Sequence, residues 1–279
     1  MNHLELPSGR TAYELTGPPA GEPVVLLHGG TVPMWTWDQQ VPALVQAGYR
    51  VLRYDMLGKG QSASPDAVYN RVLFQRQLLE LLAALGLTAP LHLVGFSFGG
   101  ATAASFAVQH AGRVASLALI APVLHYARGN RVVQLARLPL LGRAFVQHVV
   151  IRKAAERAAS LWRRAPDPAA CRARFEAQIA QPGFGRAFLS YLRSDALGDY
   201  ATAYRALGQG ALRPLLVWGS RDADVPAAHR QTLRELLPQA AAHELPGVRH
   251  SAPFQAAATI NTLLLQHLRQ DRSAITLRG

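Results

Sequence analysis

The chain has 279 residues, of which 49% are hydrophobic and 16% are charged, and its formal net charge is +12. This length can bury a sizeable core in one or two domains, and no uninterrupted apolar run of about 18 residues predicts a transmembrane helix. The positive charge comes mostly from scattered arginines, without a zinc-finger, RNA-binding or helix-turn-helix signature. We therefore interpret the charge as a solvated surface and expect no nucleic acid as a partner.

The start of the chain, MNHLELPSGR, lacks the apolar stretch of a signal peptide. The stretch closest to a membrane span, 132–151, is interrupted by two arginines and a proline, so we expect no stable membrane insertion. The single cysteine, Cys171, permits no internal disulfide, which fits a reducing compartment. We predict a cytoplasmic protein, and the sequence gives no prediction of its oligomeric state.

Short apolar runs bounded by turn residues recur along the chain and predict the strands of a sheet. They follow an opening hairpin that is predicted around Pro7, Ser8 and Gly9. The predicted strands lie at 23–30, 49–56, 91–97, 114–122, 214–220 and 242–247. Helical spacing of leucines predicts a helix over 72–87 that stops at Gly86. Continuous apolar strands separated by helices predict an α/β fold, a mostly parallel central sheet with helices on both faces.

One long interval, 124–207, contains no strand-like run. It is helical in pattern, rich in arginine and alanine, and broken by several prolines and glycines. We predict a core domain at 1–123 and 207–279 and an inserted helical cap at 124–206. The cap is expected over the carboxyl ends of the strands, where ligands bind in open α/β sheets.

The stretch GFSFG, residues 95–99, stands between a predicted strand and a helix-like run of small residues. A serine on such a sharp turn projects its hydroxyl from the top of the sheet, and the crowded positions around it admit only small side chains. The pattern by itself is weak, and its position between strand and helix strengthens it. We predict that Ser97 is a catalytic nucleophile.

A serine nucleophile needs a base and an acid that orients the base, and in this kind of fold both follow it in the chain. His250 lies in the loop after the last predicted strand, whereas the other histidines stand in positions typical of core or surface residues. Asp222 follows the strand at 214–220 and is the predicted acid. Nearby Asp224 is interpreted as a turn or capping residue.

A negative charge that develops on the substrate oxygen needs N–H donors. We predict one donor from the backbone of Phe98, directly after the serine. The loop that follows the first parallel strand, LLHGGT, provides the second. There Gly30 is the first candidate and Thr31 the second, and His28 is interpreted as a loop-packing residue.

With these motifs, the chain resembles the α/β-hydrolase superfamily, in its cap-bearing branch of serine esterases and C–C bond hydrolases. The stretch YDMLGKGQS also resembles the D-x-x-G-x-G-x-S segment of the family, through Asp55, Gly58, Gly60 and Ser62. The resemblance covers nearly the whole chain, is weakest in the cap, and implies no cofactor and no metal.

The sequence departs from the family pattern at three positions. Leu57 and Lys59 stand where proline and histidine are common, and Arg249 stands at the usual glycine position before the catalytic histidine. The first two departures change little in the interpretation. Arg249 concerns the local shape of the loop that carries His250.

The resemblance implies hydrolysis, and a serine nucleophile argues against haloalkane dehalogenases and epoxide hydrolases, whose pattern has aspartate there. We expect a carboxylic-ester hydrolase that also fits thioesters or lactones, with a small to medium apolar acyl or aryl group, acting through an acyl-enzyme on a small-molecule substrate. Two alternatives stay open. One is a C–C bond hydrolase of a vinylogous diketone acid, and the other is a ligand-binding protein on a hydrolase scaffold with little turnover.

Apolar and aromatic residues near the predicted site favour an apolar substrate group. The residues predicted to bind it are Trp35, Phe96, Leu140 and Phe145. Trp37 is equally consistent with loop packing. Within 132–151 we expect Arg137 and Arg143 to point outward, and we interpret the cap arginines as facing solvent rather than a carboxylate of the substrate.

Overall fold

The computed structural model describes residues 1–127, 130–139, 141–162 and 165–276, without the side chains of residues 157, 158, 160, 161 and 270–276. The strands of this part of the chain are β1 (Asn2–Leu4), β2 (Thr11–Thr16), β3 (Pro23–Leu27), β4 (Arg50–Tyr54), β5 (Leu91–Phe96), β6 (Val114–Ile120), β7 (Leu215–Gly219) and β8 (Ala241–Leu245). They form one sheet in the order β1-β2-β4-β3-β5-β6-β7-β8. Each predicted strand is confirmed, and so is the opening hairpin, β1 and β2.

The sheet is antiparallel only at the β1, β2 and β4 pairings, and the strands from β4 to β8 in sheet order run parallel. Its central strands are buried, which explains their continuous apolar sequences. In the register of β3 and β5, Leu27 pairs with Gly95. The loops that leave these two strands therefore begin side by side, which brings Gly30 and Ser97 to the same edge of the sheet.

Helices flank the sheet, as predicted for an α/β fold. The helices of the described residues are α1 (Val41–Gln46), α2 (Arg71–Ala84), α3 (Phe98–Gln109), α4 (Arg131–Ala136), α5 (Leu141–Phe145), α6 (Ile151–Leu161), α7 (Pro168–Ile179), α8 (Phe184–Arg193), α9 (Ala201–Gly208), α10 (Ala227–Leu236), α11 (Ala252–Gln255) and α12 (Ala257–Thr276). Helix α2 begins after Asn70, whose side chain accepts a hydrogen bond from the Leu73 N–H, and the chain turns at Gly86, where φ is +65°.

The segment between β6 and β7 is helical, as predicted. In its described residues the β-type pairing is an isolated bridge between His125 and Asp199, where the chain leaves and rejoins the core. Between α5 and α6 the chain forms a π-helical turn at Val146–Val150. No helix in the described part of the chain has the length and apolar character that a membrane crossing requires.

The predicted end of the cap, between residues 206 and 207, falls inside α9. This helix packs against α3 of the core, and the Tyr204 hydroxyl donates a hydrogen bond to the Val123 carbonyl at 2.9 Å. Helix α9 is thus attached to the core at both of these points. The division into a core at 1–123 and 207–279 and a cap at 124–206 stays a prediction.

Candidate active site

Ser97 lies on a strained turn between β5 and α3. Its φ is +54° and its ψ is −117°, a conformation that costs a residue with a Cβ about 1–3 kcal/mol. The flanking glycines are required by close packing. A Cβ on Gly95 would overlap the backbone at Gly99, and a Cβ on Gly99 would overlap the carbonyl groups of Leu27 and His28. The sheet and helix thus force the serine hydroxyl outward at the carboxyl end of β5.

His250 connects Ser97 to Asp222 by two hydrogen bonds. Its Nδ1 lies 2.9 Å from Asp222 Oδ2, and its Nε2 lies 2.9 Å from the Ser97 hydroxyl. Because the carboxylate accepts the Nδ1 proton, Nε2 is left to accept the proton of the hydroxyl. This arrangement has the geometry expected of a serine nucleophile with an adjacent base.

Asp222 is held in one orientation by the turn that follows β7. Its side chain is fully buried, and Oδ1 accepts hydrogen bonds from the N–H groups of Asp224 and Val225 at 2.8 and 3.0 Å. The other oxygen is thereby aimed at His250. A carboxylate without solvent contact and with fixed N–H partners is suited to orient an imidazole and to stabilise its protonated form.

Asp224 contacts the same histidine from a greater distance. Its Oδ2 lies 3.9 Å from His250 Nε2, too far for a hydrogen bond, and on the nitrogen that faces Ser97. The geometry therefore favours Asp222 as the orienting acid. The backbone N–H of Asp224 donates a hydrogen bond to Asp222 Oδ1, which fits the turn role predicted for Asp224.

Asp222, Asp224 and His250 also bring possible metal-ligand atoms within 4.8 Å of one another. However, both ring nitrogens of His250 and both carboxylate oxygens of Asp222 already take part in hydrogen bonds. The donor set fits a proton-transfer chain better than a cation site.

The loop that carries His250 has Arg249 in place of the usual glycine. The Arg249 N–H donates a hydrogen bond to Gln255 Oε1 at 2.8 Å, and the side chain is exposed. The Phe96 ring packs beside the His250 ring, with 5.1 Å between their centroids. The Arg249 side chain is thus directed to solvent.

His28 fixes the loop after β3, which carries the predicted oxyanion donor Gly30. Burial lowers the pKa of His28 to about 3, so its ring is neutral. It donates from Nδ1 to the Gly29 carbonyl at 2.7 Å and accepts from the Met56 N–H at Nε2, 2.9 Å away. His28 therefore fixes the backbone that precedes Gly30, which agrees with its predicted packing role.

A cavity of about 390 Å³ lies between the core and the cap. From the core, Ser97, Phe98, Gly30, Thr31 and His250 contribute to its wall. Apolar residues of the cap that line it include Val132, Val133, Val150, Phe188, Leu192 and Leu197. The Ser97 side chain therefore faces a mostly apolar space, with the polar groups of Asn130, Lys153 and Asp224 also on its wall.

Three residues predicted to bind substrate are not among those that line this cavity, and their role stays a prediction. Trp35 packs in a separate cluster, with ring centroids 5.4 Å from Trp162 and 6.1 Å from Phe254. Phe96 supports the His250 ring, and Phe145 packs half-buried against the main core. Nearness in sequence to a motif gave no information on which way these side chains point.

The remaining residues discussed from the sequence, in the stretch 132–151 and at Trp37, differ in where the structure places them. Leu140 falls outside the described residues. Arg137 and Arg143 are exposed, as predicted. Trp37 is fully buried in the main core, which favours its packing interpretation. The cap segment does reach the cavity, but through Val132, Val133 and Val150.

The sequence interpretation missed a buried lysine and a cap tyrosine next to the cavity. Lys59 is 4% exposed, and its ammonium lies 4.2 Å from the ring centroid of Tyr191. Burial lowers the pKa of Lys59 to about 7. The signal for Lys59 was its departure from the usual histidine of the family motif, whereas nothing in the sequence distinguished Tyr191 from other tyrosines.

Comparison with known proteins agrees with this fold. The family described as "alpha/beta hydrolase fold" matches residues 22–257, so the chain belongs to the α/β-hydrolase family. The chain is similar to a Variovorax paradoxus (strain S110) protein named as a carbamate hydrolase, RutD, with 33% identity over 92% of this chain and 95% of that protein.

Two further similarities are found, one in sequence and one in fold. The 2-hydroxy-6-oxo-6-phenylhexa-2,4-dienoate hydrolase of Comamonas testosteroni is 27% identical over 90% of this chain and 88% of that protein. The structure of the enol-lactonase from Burkholderia xenovorans LB400 has a TM-score of 0.79, with 20% identity over 96% of this chain and 100% of that one. The family and its hydrolase character are thus established, and the substrate is a separate question.

Proposed function

We propose that the protein is a serine hydrolase that cleaves carboxylic esters, including thioesters or lactones, with a small to medium apolar acyl or aryl group. Ser97 is the nucleophile, His250 the general base and acid, and Asp222 the residue that orients His250. The observation that carries the proposal is the hydrogen-bonded chain from Ser97 through His250 to Asp222, with 2.9 Å at both bonds. It supports acyl transfer because each partner has the neighbour that this chemistry needs.

In the proposed reaction, Ser97 Oγ attacks the carbonyl carbon while His250 Nε2 accepts the hydroxyl proton. The N–H groups of Gly30 and Phe98 stabilise the oxygen that becomes negative, and Asp222 stabilises the imidazolium. When the tetrahedral intermediate collapses, the leaving alcohol takes the proton from His250. A water molecule, deprotonated by His250, then attacks the acyl-enzyme and releases the acid and the free serine.

The proposed substrate class follows from the cavity. A volume of about 390 Å³ fits a small to medium molecule, and a wall rich in valine, leucine and phenylalanine favours an apolar acyl or aryl group. The protein's partner in this proposal is that small molecule alone. A cytoplasmic location remains part of the proposal, because Cys171 is a free, buried cysteine with no partner required.

C–C bond hydrolysis is the second candidate. The similarity to the Comamonas testosteroni dienoate hydrolase favours it, because that similarity extends over 90% of this chain. Lys153, on the cavity wall, offers a cation for the carboxylate that such a substrate carries. A protein that binds ligand with little turnover is the third possibility, and the experiment below separates it from both enzymes.

The test is a turnover screen of the wild type and Ser97→Ala. The substrates are p-nitrophenyl esters from acetate to decanoate, aryl lactones, and a vinylogous 1,5-diketone acid. We expect ester turnover that is lost in Ser97→Ala, whose folded core stays intact by circular dichroism. Preferred turnover of the diketone acid would favour the C–C hydrolase, and saturable binding without turnover of any substrate would contradict both enzyme proposals.

A further inference from the structure

Tyr191, on helix α8 of the cap segment, contacts both residues that are predicted to stabilise the oxyanion. A Cβ on Gly30 would lie only 2.8 Å from the Tyr191 hydroxyl oxygen. The Tyr191 ring packs edge-to-face on the Phe98 ring, with 5.0 Å between centroids and 76° between planes. Tyr191 and Ser97 also line the same cavity. The cap thus brings a hydroxyl to the place where the two backbone donors are expected.

The Tyr191 hydroxyl has no acceptor among the residues that the structure describes. Two other buried tyrosines of this region do have one. Tyr200 donates to the Ala196 carbonyl and Tyr204 to the Val123 carbonyl, each at 2.9 Å. A buried tyrosine ordinarily satisfies its O–H with a partner. A hydroxyl on a cavity wall without a protein acceptor is therefore available to a ligand in the cavity.

The surroundings keep Tyr191 in the form that donates. Burial raises the pKa of Tyr191 well above its usual value, so the phenol keeps its proton. The Lys59 ammonium lies over the ring face at 4.2 Å from the centroid. When Lys59 is protonated, below about pH 7, its charge at this face withdraws electron density from the ring and makes the O–H a stronger donor. The same positive charge also stabilises the negative charge that forms on the substrate oxygen when this oxygen accepts a hydrogen bond from the Tyr191 hydroxyl.

We propose that the Tyr191 hydroxyl donates a third hydrogen bond to the carbonyl oxygen of the substrate as that oxygen becomes negative. This inference rests on the acyl-transfer chemistry proposed above. The reaction then depends on the cap for part of its oxyanion site, in addition to the backbone donors of Gly30 and Phe98. Tyr191 acts as a catalytic residue in this proposal, and Lys59 is a positioning residue that acts through it.

The first test compares Tyr191→Phe with Tyr200→Phe. Tyr191→Phe removes only the oxygen and keeps the ring contacts with Phe98 and Lys59. Because one oxyanion donor is worth about 10²–10³ in kcat where two share the charge, we expect a loss of about 10–10² with three donors, with KM nearly unchanged. Tyr200→Phe, which loses a hydrogen bond away from the cavity, keeps the wild-type kcat.

A second readout separates chemistry from packing. A trifluoromethyl ketone of the preferred acyl group forms a tetrahedral adduct with the serine, so its inhibition constant should rise by the same factor as kcat/KM falls in Tyr191→Phe. Below about pH 7, where Lys59 is charged, the Lys59→Met change should lower kcat by roughly threefold or more when Tyr191 is present, and should have no further effect in the Tyr191→Phe background. This non-additivity does not follow from a structural role alone.

The outcomes distinguish this proposal from the proposed function. An unchanged kcat and inhibition constant in Tyr191→Phe, or a change in KM alone, would overturn the Tyr191 proposal while ester turnover by the wild type stands. If Tyr191→Phe does not fold, additive effects of Lys59→Met and Gly30→Ala on kcat would count against a shared oxyanion site. No ester turnover by the wild type itself would overturn the proposed function first.

Discussion

Two carboxylates, Asp222 and Asp224, lie near His250, and their distances to its ring differ. Asp222 is buried, is fixed by two backbone N–H groups, and meets the ring at 2.9 Å. Asp224, two residues later, stays 3.9 Å from the other nitrogen. The turn after β7 thus places the predicted orienting acid within hydrogen-bond distance of the ring and keeps the second carboxylate beyond it.

We predict that Asp222→Asn lowers kcat by on the order of 10⁴ with the fold intact, because an amide does not hold the required tautomer of His250. Asp224→Asn should cost less than about tenfold, since its carboxylate makes no hydrogen bond to the ring. Steady-state kinetics with the preferred ester measures both. A greater loss in Asp224→Asn would show that the assignment of the acid is wrong.

Because Lys59 is buried, we expect it to make the free energy of unfolding depend on pH. Burial lowers its pKa from 10.5 to about 7 in the folded state. Between these values the unfolded chain holds a proton that the folded chain has released, so the free energy of unfolding rises with pH. Below about pH 7 the lysine is charged in both states, and the folded protein bears the full cost of the buried charge.

We predict that Lys59→Met raises the free energy of unfolding at pH 7 and removes this rise toward higher pH, a difference on the order of a few kcal/mol. Urea unfolding of both proteins between about pH 6.5 and 9.5 measures it. Lys153→Met, which removes the only other lysine of the sequence at an exposed position, is the control. Parallel pH curves for the wild type and Lys59→Met would refute the prediction.

At the scale of elements, the cap lines the cavity through one face of its helices. Helix α4 contributes Val132 and Val133, and the π-helical turn contributes Val150. Val149, next to it on the same turn, is half-buried and lies off the cavity wall. The π-helical turn thus places Val150, and not Val149, on the cavity wall.

We predict that Val150→Phe shifts the enzyme toward short acyl groups. The larger ring occupies space that longer chains need, so kcat/KM for longer esters relative to acetate should fall roughly tenfold, as expected for about two methylenes at about 0.8 kcal/mol each. Val149→Phe makes the same change off the wall and should leave this ratio unchanged. Equal ratios in the two variants would reject a pocket role for Val150.

The elements themselves were largely predictable from the sequence. Apolar runs and turn residues predicted each strand, although β3 ends at Leu27 rather than residue 30 because the chain leaves the sheet at His28 to form the loop before Gly30. Likewise α2 ends at Ala84, and Gly86 makes the turn after it. Hydrophobic periodicity predicts which residues are buried and the type of element, but it does not predict the residue at which a strand ends and a loop begins.

At the scale of the whole molecule, the motifs predicted the partners and the fold supplies their distances. Ser97, Asp222 and His250 were chosen for their positions after strands, and the parallel sheet brings these strand ends together at one edge. Their catalytic roles remain predictions that the geometry supports. The family and the mostly parallel, helix-flanked sheet are confirmed.

The pocket could not be predicted in the same way. Trp35 follows the loop motif after the first parallel strand and Phe145 lies in the apolar stretch 132–151, yet Trp35 packs in the smaller core cluster and Phe145 packs half-buried against the main one. Tyr191 reaches Gly30 only because α8 folds back over the sheet edge. Such contacts depend on how the cap docks on the core, which no local pattern in the sequence encodes.

The central claim is that Ser97 is the activated nucleophile of an ester hydrolase. The most direct measurement is to incubate the protein with a fluorophosphonate, which phosphonylates an activated serine, and to identify the modified residue by mass spectrometry of its peptides. We predict a single adduct on Ser97, formed at a rate that falls sharply in His250→Ala and with loss of ester turnover in proportion to labelling. An adduct on a different serine would contradict the account. So would protein that, after treatment with excess reagent, keeps full ester turnover and carries no adduct on Ser97.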